Sequence, residues 1–319
     1  MKFITLFKRT FILGLLALAL GVALIFCLNK TTEKSAHFQF DNSFRYIFCG
    51  NSHMQLAIND TLVEHAINIG ESGENFIYTY QKLKCLLNGN PQVEMVFLEC
   101  SNSSICEYID GRSWNAHFVK TKVPKFSFAL DKSDWSDLIQ NAPFYFINAA
   151  CSGAELELKF ILSSETYFPD FAKWDGYYWY SKSAVDSLIH APDTIRIPSG
   201  GMTKSLHALK YLGKIENLCK AKGVRLCLIR CPVHPGWEYN DNEAMYSELF
   251  RNELSHMTLF DFHDYALPNG DFRDYEHLNC YGAQKFSVLV DSLLKAGHFN
   301  SRTNPITVEQ EMEALATQP

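Results

Sequence analysis

The feature that most restricts the fold is a rhythm of short apolar runs, several ending in glycine or small polar residues, alternating with longer segments whose apolar positions recur every three or four residues. Arg45–Gly50 (RYIFCG), Ala66–Gly70 (AINIG), Val93–Glu99 (VEMVFLE), Val224–Cys231 (VRLCLIRC) and Leu259–Phe262 read as strands. They are too short for helices and nearly continuously apolar, which suits strands covered on both faces. Between and after them, Met54–Ala66, Phe76–Leu87, Thr203–Lys222, Asn242–Leu254 and Gly282–Ala296 read as helices, the second closed by Asn88-Gly89-Asn90-Pro91. This alternation specifies an α/β fold of the flavodoxin-like, doubly wound kind: a five-stranded parallel sheet with helices on both faces. The rhythm breaks after strand three and resumes near residue 203. An insertion over 103–202 is therefore expected, lying over the sheet edge, with helical stretches near 135–147 and 154–162 and an aromatic passage at 174–180.

The first residues obey a different rule. Thr10–Leu28 is an uncharged run of 19 residues, and at about 1.5 Å per residue it can cross a hydrocarbon layer of roughly 30 Å. Lys2, Lys8 and Arg9 precede it and Lys30 follows; that balance keeps the short N-terminal end cytoplasmic and exports the rest. The run ends in bulky residues, Leu24-Ile25-Phe26-Cys27, where a cleaved signal peptide wants small ones. Residues 1–28 are thus expected to be an uncleaved signal anchor, 29–43 a polar linker, 44–297 the α/β domain and 298–319 a frayed acidic tail.

Composition removes several function classes. A net charge of −6 and pI near 6.0 provide no basic field for a phosphate backbone, so nucleic acid is not an expected partner. No CxxC pair suggests zinc or redox chemistry, and no cofactor is expected. Cys49, Cys100, Cys227 and Cys231 lie in or beside strand-like runs, where a free thiol behaves as a small buried hydrophobe. The exported compartment permits one or two disulfides, none assignable from spacing. Asp261, His263 and Asp264 read as structural or solvated groups rather than metal ligands.

Sheets of this kind bind ligands beyond the carboxyl ends of the strands, where strand order reverses, between strands one and three in the flavodoxin-like order. Those ends carry Gly50-Asn51-Ser52-His53 and Ser101-Asn102. Ser52 follows a strand and opens a helix, whose free N–H groups favour developing negative charge. A serine hydroxyl needs a base before it can attack. Asp274-Tyr275-Glu276-His277, before the last helix, supplies one: the aspartate can accept from one ring nitrogen while the other faces Ser52. The bland alternative for Ser52 is a helix N-cap, and for His277 a surface or capping histidine. His53 is a candidate pocket residue or a packing group. His234, in Arg230-Cys231-Pro232-Val233-His234-Pro235, is a candidate pocket residue or a shaper of its proline-bounded turn.

These blocks resemble the SGNH (GDSL-like) hydrolase family. Gly50-Asn51-Ser52-His53 looks like its first block, with asparagine for the usual aspartate; Asn68-Ile69-Gly70-Glu71-Ser72-Gly73 looks like the second, and Asp274-Tyr275-Glu276-His277-Leu278-Asn279 with Gly282 the last. The third block departs from the pattern: Glu99-Cys100-Ser101-Asn102-Ser103 stands where the family has Gly-x-Asn-Asp. The resemblance implies a catalytic triad of Ser52, His277 and Asp274, with an oxyanion hole from Ser52, Gly73 and Asn102. More narrowly, the pattern is similar to membrane-anchored members that modify cell-surface polymers. This implies an acylated, typically acetylated, carbohydrate as ester substrate, with either hydrolysis or acyl transfer as outcome. Two other readings stand beside the enzyme: a non-catalytic, membrane-anchored module binding glycan or protein, and a tethered assembly factor whose insertion docks a partner.

Overall fold

The computed structural model describes residues 2–36, 38–163, 176–189, 203–237 and 242–300. In chain order they form α1 (Lys2–Ser35), β1 (Tyr46–Cys49), α2 (Ser52–Ala57), β2 (Ala66–Asn68), α3 (Phe76–Gly89), β3 (Met95–Glu99), α4 (Asn102–Ile105) and α5 (Tyr108–Ser113). There follow α6 (Ala116–Phe126), α7 (Lys132–Asn141), α8 (Pro143–Ser163), α9 (Val185–Ile189), α10 (Leu206–Lys222), β4 (Arg225–Arg230), α11 (Glu243–Asn252), β5 (Leu259–Asp261) and α12 (Cys280–Lys295). The described residues fall into two compact units, one drawn from 1–38 and 114–172, the other from 39–113 and 173–319.

The second unit holds the sheet. Its strands run in the order β2-β1-β3-β4-β5, all neighbours parallel, the flavodoxin-like order expected from the apolar rhythm. Every residue of β3 is buried, and Ile47, Phe48, Val96, Phe97, Cys227, Leu228 and Ile229 have no accessible surface. Side chains alternate between faces along a strand. Phe48, Phe97, Cys227 and Ile229 point into one core with Met54 and Ala57 of α2 and Phe286 and Val290 of α12. Phe48 and Phe97, paired in register, stack with ring centroids 4.6 Å apart. Truncating either ring to alanine would cost about 3–5 kcal/mol, the usual price of removing a buried aromatic side chain. Helices α3 and α10 pack against each other in the same unit, and α10 packs on β4. The expected helix over 54–66 is shorter: α2 ends at Ala57 and a 3-10 turn, Asp60–Leu62, follows. The buried Asn68 side chain explains the break, because its amide donates to the carbonyls of Met54 (3.0 Å) and Ile58 (2.7 Å) and ends the helix on β2.

The first unit is helical. α1 runs on through Ser35, into the segment expected as a linker. Packing accounts for the extension: Thr32 is fully buried, and Asn29 donates to the carbonyl of Ser127, whose hydroxyl donates to the buried Glu157 of α8. α8 comes close at Gly153, where a Cβ would stand 2.3 Å from Ser127 Oγ. α1 contains the one helix among the described residues long and apolar enough to cross a membrane. The segment expected as an insertion is therefore divided: α4, α5 and 176–189 belong to the sheet unit, and α6, α7 and α8 to the helical one. Trp174 and Asp175 of the aromatic passage, and 301–319 of the expected tail, lie outside the described residues. All ten cysteines are free thiols, exposed at Cys27 and Cys151 and buried elsewhere.

Candidate active site

The turn after β1 is shaped by close approach. Gly50 has φ +133°, and a Cβ there would meet Glu99 Cβ at 2.6 Å, so only glycine lets β1 turn beside the end of β3. Asn51 caps α2: its Oδ1 accepts from the His53 N–H at 2.9 Å, while its Nδ2 donates to Ser104 Oγ at 3.1 Å, and Ser104 donates to buried Glu99. Ser52 is then the first helical residue, its hydroxyl at the carboxyl edge of the sheet.

The partner histidine arrives from the other side of the fold. Asn279 caps α12, accepting from Tyr281 N–H (3.0 Å) and Gly282 N–H (3.2 Å) and donating to the carbonyl of Gly270 (2.6 Å). Leu278 is buried in the core, and the Arg273 N–H donates to the His277 carbonyl at 2.8 Å. The Asp-x-x-His-Leu-Asn run thus contains its own scaffold: leucine anchors, asparagine caps, and the histidine between is held in place. His277 Nε2 lies 2.8 Å from Ser52 Oγ, and His277 Nδ1 lies 2.8 Å from Asp274 Oδ1. The same Asp274 oxygen accepts the N–H groups of Glu276 and His277, both at 2.9 Å.

Burial alone would raise the Asp274 carboxyl, but the hydrogen bond and charge of His277, the Glu276 N–H and Arg273 outweigh it and hold it below the ordinary carboxylate value. An ionised carboxylate only accepts, so Nδ1 carries the ring proton and Nε2 turns its lone pair to the serine hydroxyl. His53 packs beside this relay, its ring centroid 4.9 Å from that of His277. Burial, then the neighbouring His277, lower its pKa to about 3, so it is neutral at ordinary pH. His53, Glu276 and His277 bring potential metal-ligating atoms within 4.8 Å of one another. Both His277 nitrogens are engaged by Ser52 and Asp274, however, so a cation there would have to break the relay.

An open cleft of about 950 Å³, solvent included, lies in front of Ser52, with Gly73, Asn102, His53, Tyr108, Arg112 and Trp237 among its walls. Gly73 has φ +71°, and among the described residues its N–H has no acceptor. Its turn is clamped from below. Buried Lys82 donates to the Ile69 carbonyl at 3.0 Å and pairs with Glu71 at 3.0 Å and Glu74 at 2.5 Å, the residues flanking Gly73. Burial would lower the Lys82 pKa, but the two carboxylates raise it, so it stays charged.

Two expected site residues sit differently. Asn102 reaches the cleft wall, but its amide is committed: Nδ2 donates to Asn242 (3.1 Å) and Glu243 (2.6 Å), and Oδ1 accepts from Arg230 (2.7 Å). Arginine cannot accept, which fixes the amide orientation and leaves neither N–H for a ligand. His234 is absent from the cleft walls. Its Nδ1 accepts from Gly236 N–H at 2.9 Å, its Nε2 donates to Asn269 at 3.0 Å, and its N–H holds the Tyr275 carbonyl at 2.9 Å. It braces the loop that carries Asp274 and His277, the turn-shaping alternative given by its sequence.

Sequence reasoning missed the two buried cations of the sheet unit. Arg230, at the end of β4, pairs with Glu243 (2.9 Å) and Asp261 (2.7 Å) and stacks over Tyr246, 4.4 Å from the ring centroid. Its only signal was an arginine closing an apolar run. Lys82 is the lone charge in the helical row Thr79, Lys82, Leu86, and that was the available clue. Asp261 of the Asp261-His263-Asp264 group is engaged by Arg230.

A protein-family model matches residues 193–297, less than half of the chain. No curated protein matches the sequence. Among solved structures, a proposed acylhydrolase from Bacteroides fragilis is similar at 11% identity, over 83% of this chain and 94% of its own, with a TM-score of 0.34. A GDSL-like lipase from Bacteroides thetaiotaomicron is similar at 9% identity, over 85% of this chain and 98% of its own, also with a TM-score of 0.34.

Proposed function

We propose that the protein is a serine esterase or O-acyltransferase of the SGNH type, acting on acyl esters of an extracytoplasmic glycan while anchored by α1. The observation that carries this reading is the relay of Ser52 Oγ, His277 and Asp274, each link 2.8 Å. Ser52 attacks the ester carbonyl as its proton passes to His277 Nε2, and Asp274 stabilises the imidazolium so formed. The N–H groups of Ser52 and Gly73 receive the oxyanion. On collapse, His277 returns the proton to the leaving alcohol and the acyl group stays on Ser52. Attack by water then gives hydrolysis, and attack by a sugar hydroxyl gives transfer. The acetyl group and the glycan rest on the motif resemblance; Tyr108 and Trp237 are aromatic residues of the cleft walls, with the Arg112 guanidinium 5.1 Å from the Tyr108 ring centroid.

One observation favours a second reading, a non-catalytic binding module: Asn102, the side chain expected to stabilise the oxyanion, is engaged elsewhere. Turnover of p-nitrophenyl acetate and acetylated glycans by the full chain in detergent, against Ser52→Ala, separates the two. The enzyme reading expects activity that the substitution abolishes. Equal activity in both proteins would end it, and glycan binding with no turnover in either would favour the module.

A further inference from the structure

The helical unit exposes an apolar stripe that its own packing leaves uncovered. On α8 the buried positions are Ala149, Ala150, Gly153, Glu157 and Phe160. The opposite face carries Phe144, Ile147, Cys151, Glu155, Leu158 and Leu162, spaced by three and four residues as one side of a helix requires. Phe144 is 88% exposed, Ile147 66% and Leu162 74%. The single charge in the row, Glu155, is neutralised by Lys159 one turn on, at 2.7 Å. Ile139 of α7 is exposed as well. In the sheet unit, by contrast, exposed large apolar side chains such as Leu206, Tyr281 and Val288 are scattered through the sequence, as on any soluble surface. A row of this length marks a surface that something apolar covers.

What covers it follows from where α8 is held. Residues 4–24 of α1 are all exposed, and burial begins only at Ile25, Leu28, Asn29 and Thr32. The uncharged run ends at Leu28. The Asn29–Ser127–Glu157 chain, with Gly153 against Ser127, therefore fixes the middle of α8 to α1 at the level where the apolar run gives way to polar residues. A membrane spanned by Thr10–Leu28 would have its outer headgroup layer at that level.

We infer that α8 is an interfacial helix, with its Phe144–Leu162 stripe set into the outer headgroup and acyl boundary of the bilayer that α1 spans. An amphipathic helix buries such a face by about 5–10 Å at that boundary. The inference rests on the reading of α1 as a membrane anchor, and it makes the helical unit a second attachment that restrains the unit rather than a passive spacer.

The native Cys151 provides the test. With Cys27→Ser removing the other exposed thiol, the full chain is reconstituted into phosphatidylcholine vesicles and labelled at Cys151 with an environment-sensitive fluorophore. Parallel proteins carry the label on Phe144→Cys or Leu162→Cys, and on Thr121→Cys, an exposed polar position of α6, each in a Cys151→Ser background. The expected result is blue-shifted emission at the three stripe positions, quenched by nitroxide on the upper acyl chain, with the Thr121→Cys label unquenched. Vesicles that retain the protein while the stripe labels stay unquenched would overturn the inference and leave α1 as an anchor. Stripe labels shielded by cross-linkable contact between two copies would overturn it in favour of a dimer interface. Failure of the chain to float with vesicles at all would remove the anchor reading and the inference together.

Discussion

The two rims of the cleft are built from the same material and differ in what they leave free. On the β1–β2 rim, Ser52 faces His277 and the Gly73 N–H has no acceptor among the described residues; the charges that support this rim, Lys82 with Glu71 and Glu74, lie beneath it. On the β3–β4 rim Glu243, Asn242 and Arg230 absorb the polar capacity of Asn102, and Asp261 completes the pairing of Arg230. A polar side chain at a strand's carboxyl end is thus available for chemistry only if the network beneath it is satisfied without it. The β1–β2 rim meets that condition and the β3–β4 rim does not.

The largest expected effect comes from breaking the open rim at its centre. Ser52→Ala should lower ester turnover by about 10⁴-fold or more, with the melting temperature little changed, because triad members act as a unit. A loss smaller than tenfold would transfer the chemistry to another group.

Next come the two buried cations of the sheet unit. Lys82→Met strands two carboxylates, one of them fully buried, and should cost about 3–5 kcal/mol by denaturation. Arg230→Met strands carboxylates that are each about one-third exposed, so its cost should fall at or below the lower end of that range. The comparison sharpens in the residual activity. Under conditions where both variants stay folded, Lys82→Met should lower kcat because it frees the Gly73 turn, and Arg230→Met should leave kcat nearly intact. Equal kcat in the two would erase the distinction between the rims.

A smaller effect is pH-dependent. His53 titrates at about 3 when folded against 6.5 as a free group. Between those values the unfolded chain binds the extra proton, so stability is complete above the free value and falls as pH drops from there toward 3, by at most about 1.4 kcal/mol per unit. Asp274 acts in the same direction lower down, since its depressed folded value contributes stability that is lost as pH falls below the ordinary carboxylate range. Denaturation midpoints measured from pH 7 to 4 should slope for the native chain and flatten for His53→Gln. An unchanged slope would place the proton uptake elsewhere.

The smallest effect is expected on the closed rim. Asn102→Ala should change kcat by less than about tenfold, whereas an oxyanion donor is worth about 10²–10³. A loss in that higher range would mean that the amide leaves Glu243 when substrate binds.

Much of this was legible before any coordinates. Period and length are local properties, so the strands from Tyr46–Cys49 to Leu259–Asp261 and their parallel order follow from apolar runs and turn residues. Glycine requirements are also local in effect, and Gly50 and Gly73 stand where their turns demand them. The pairing of Ser52 with His277, 225 positions apart in the chain, is legible through the Asp-x-x-His motif before the last helix and the motif resemblance, while topology places Ser52 at the carboxyl edge of the sheet.

Other features depended on packing alone. Nothing in Ser101-Asn102-Ser103 reveals that Arg230, brought alongside by the β3–β4 pairing, claims the amide oxygen. The polar stretch after Leu28 reads as a linker until Asn29 and Thr32 find the helical unit and prolong α1. The sequence by itself determined which segments become strands and helices, and hence which edge of the sheet collects the reactive groups, because hydrophobic periodicity acts between near neighbours. Only the tertiary structure decided which of those groups remain unspent at that edge. Hydrogen-bond and charge satisfaction is settled between residues distant in sequence, each of which has a finite number of donors and acceptors to give.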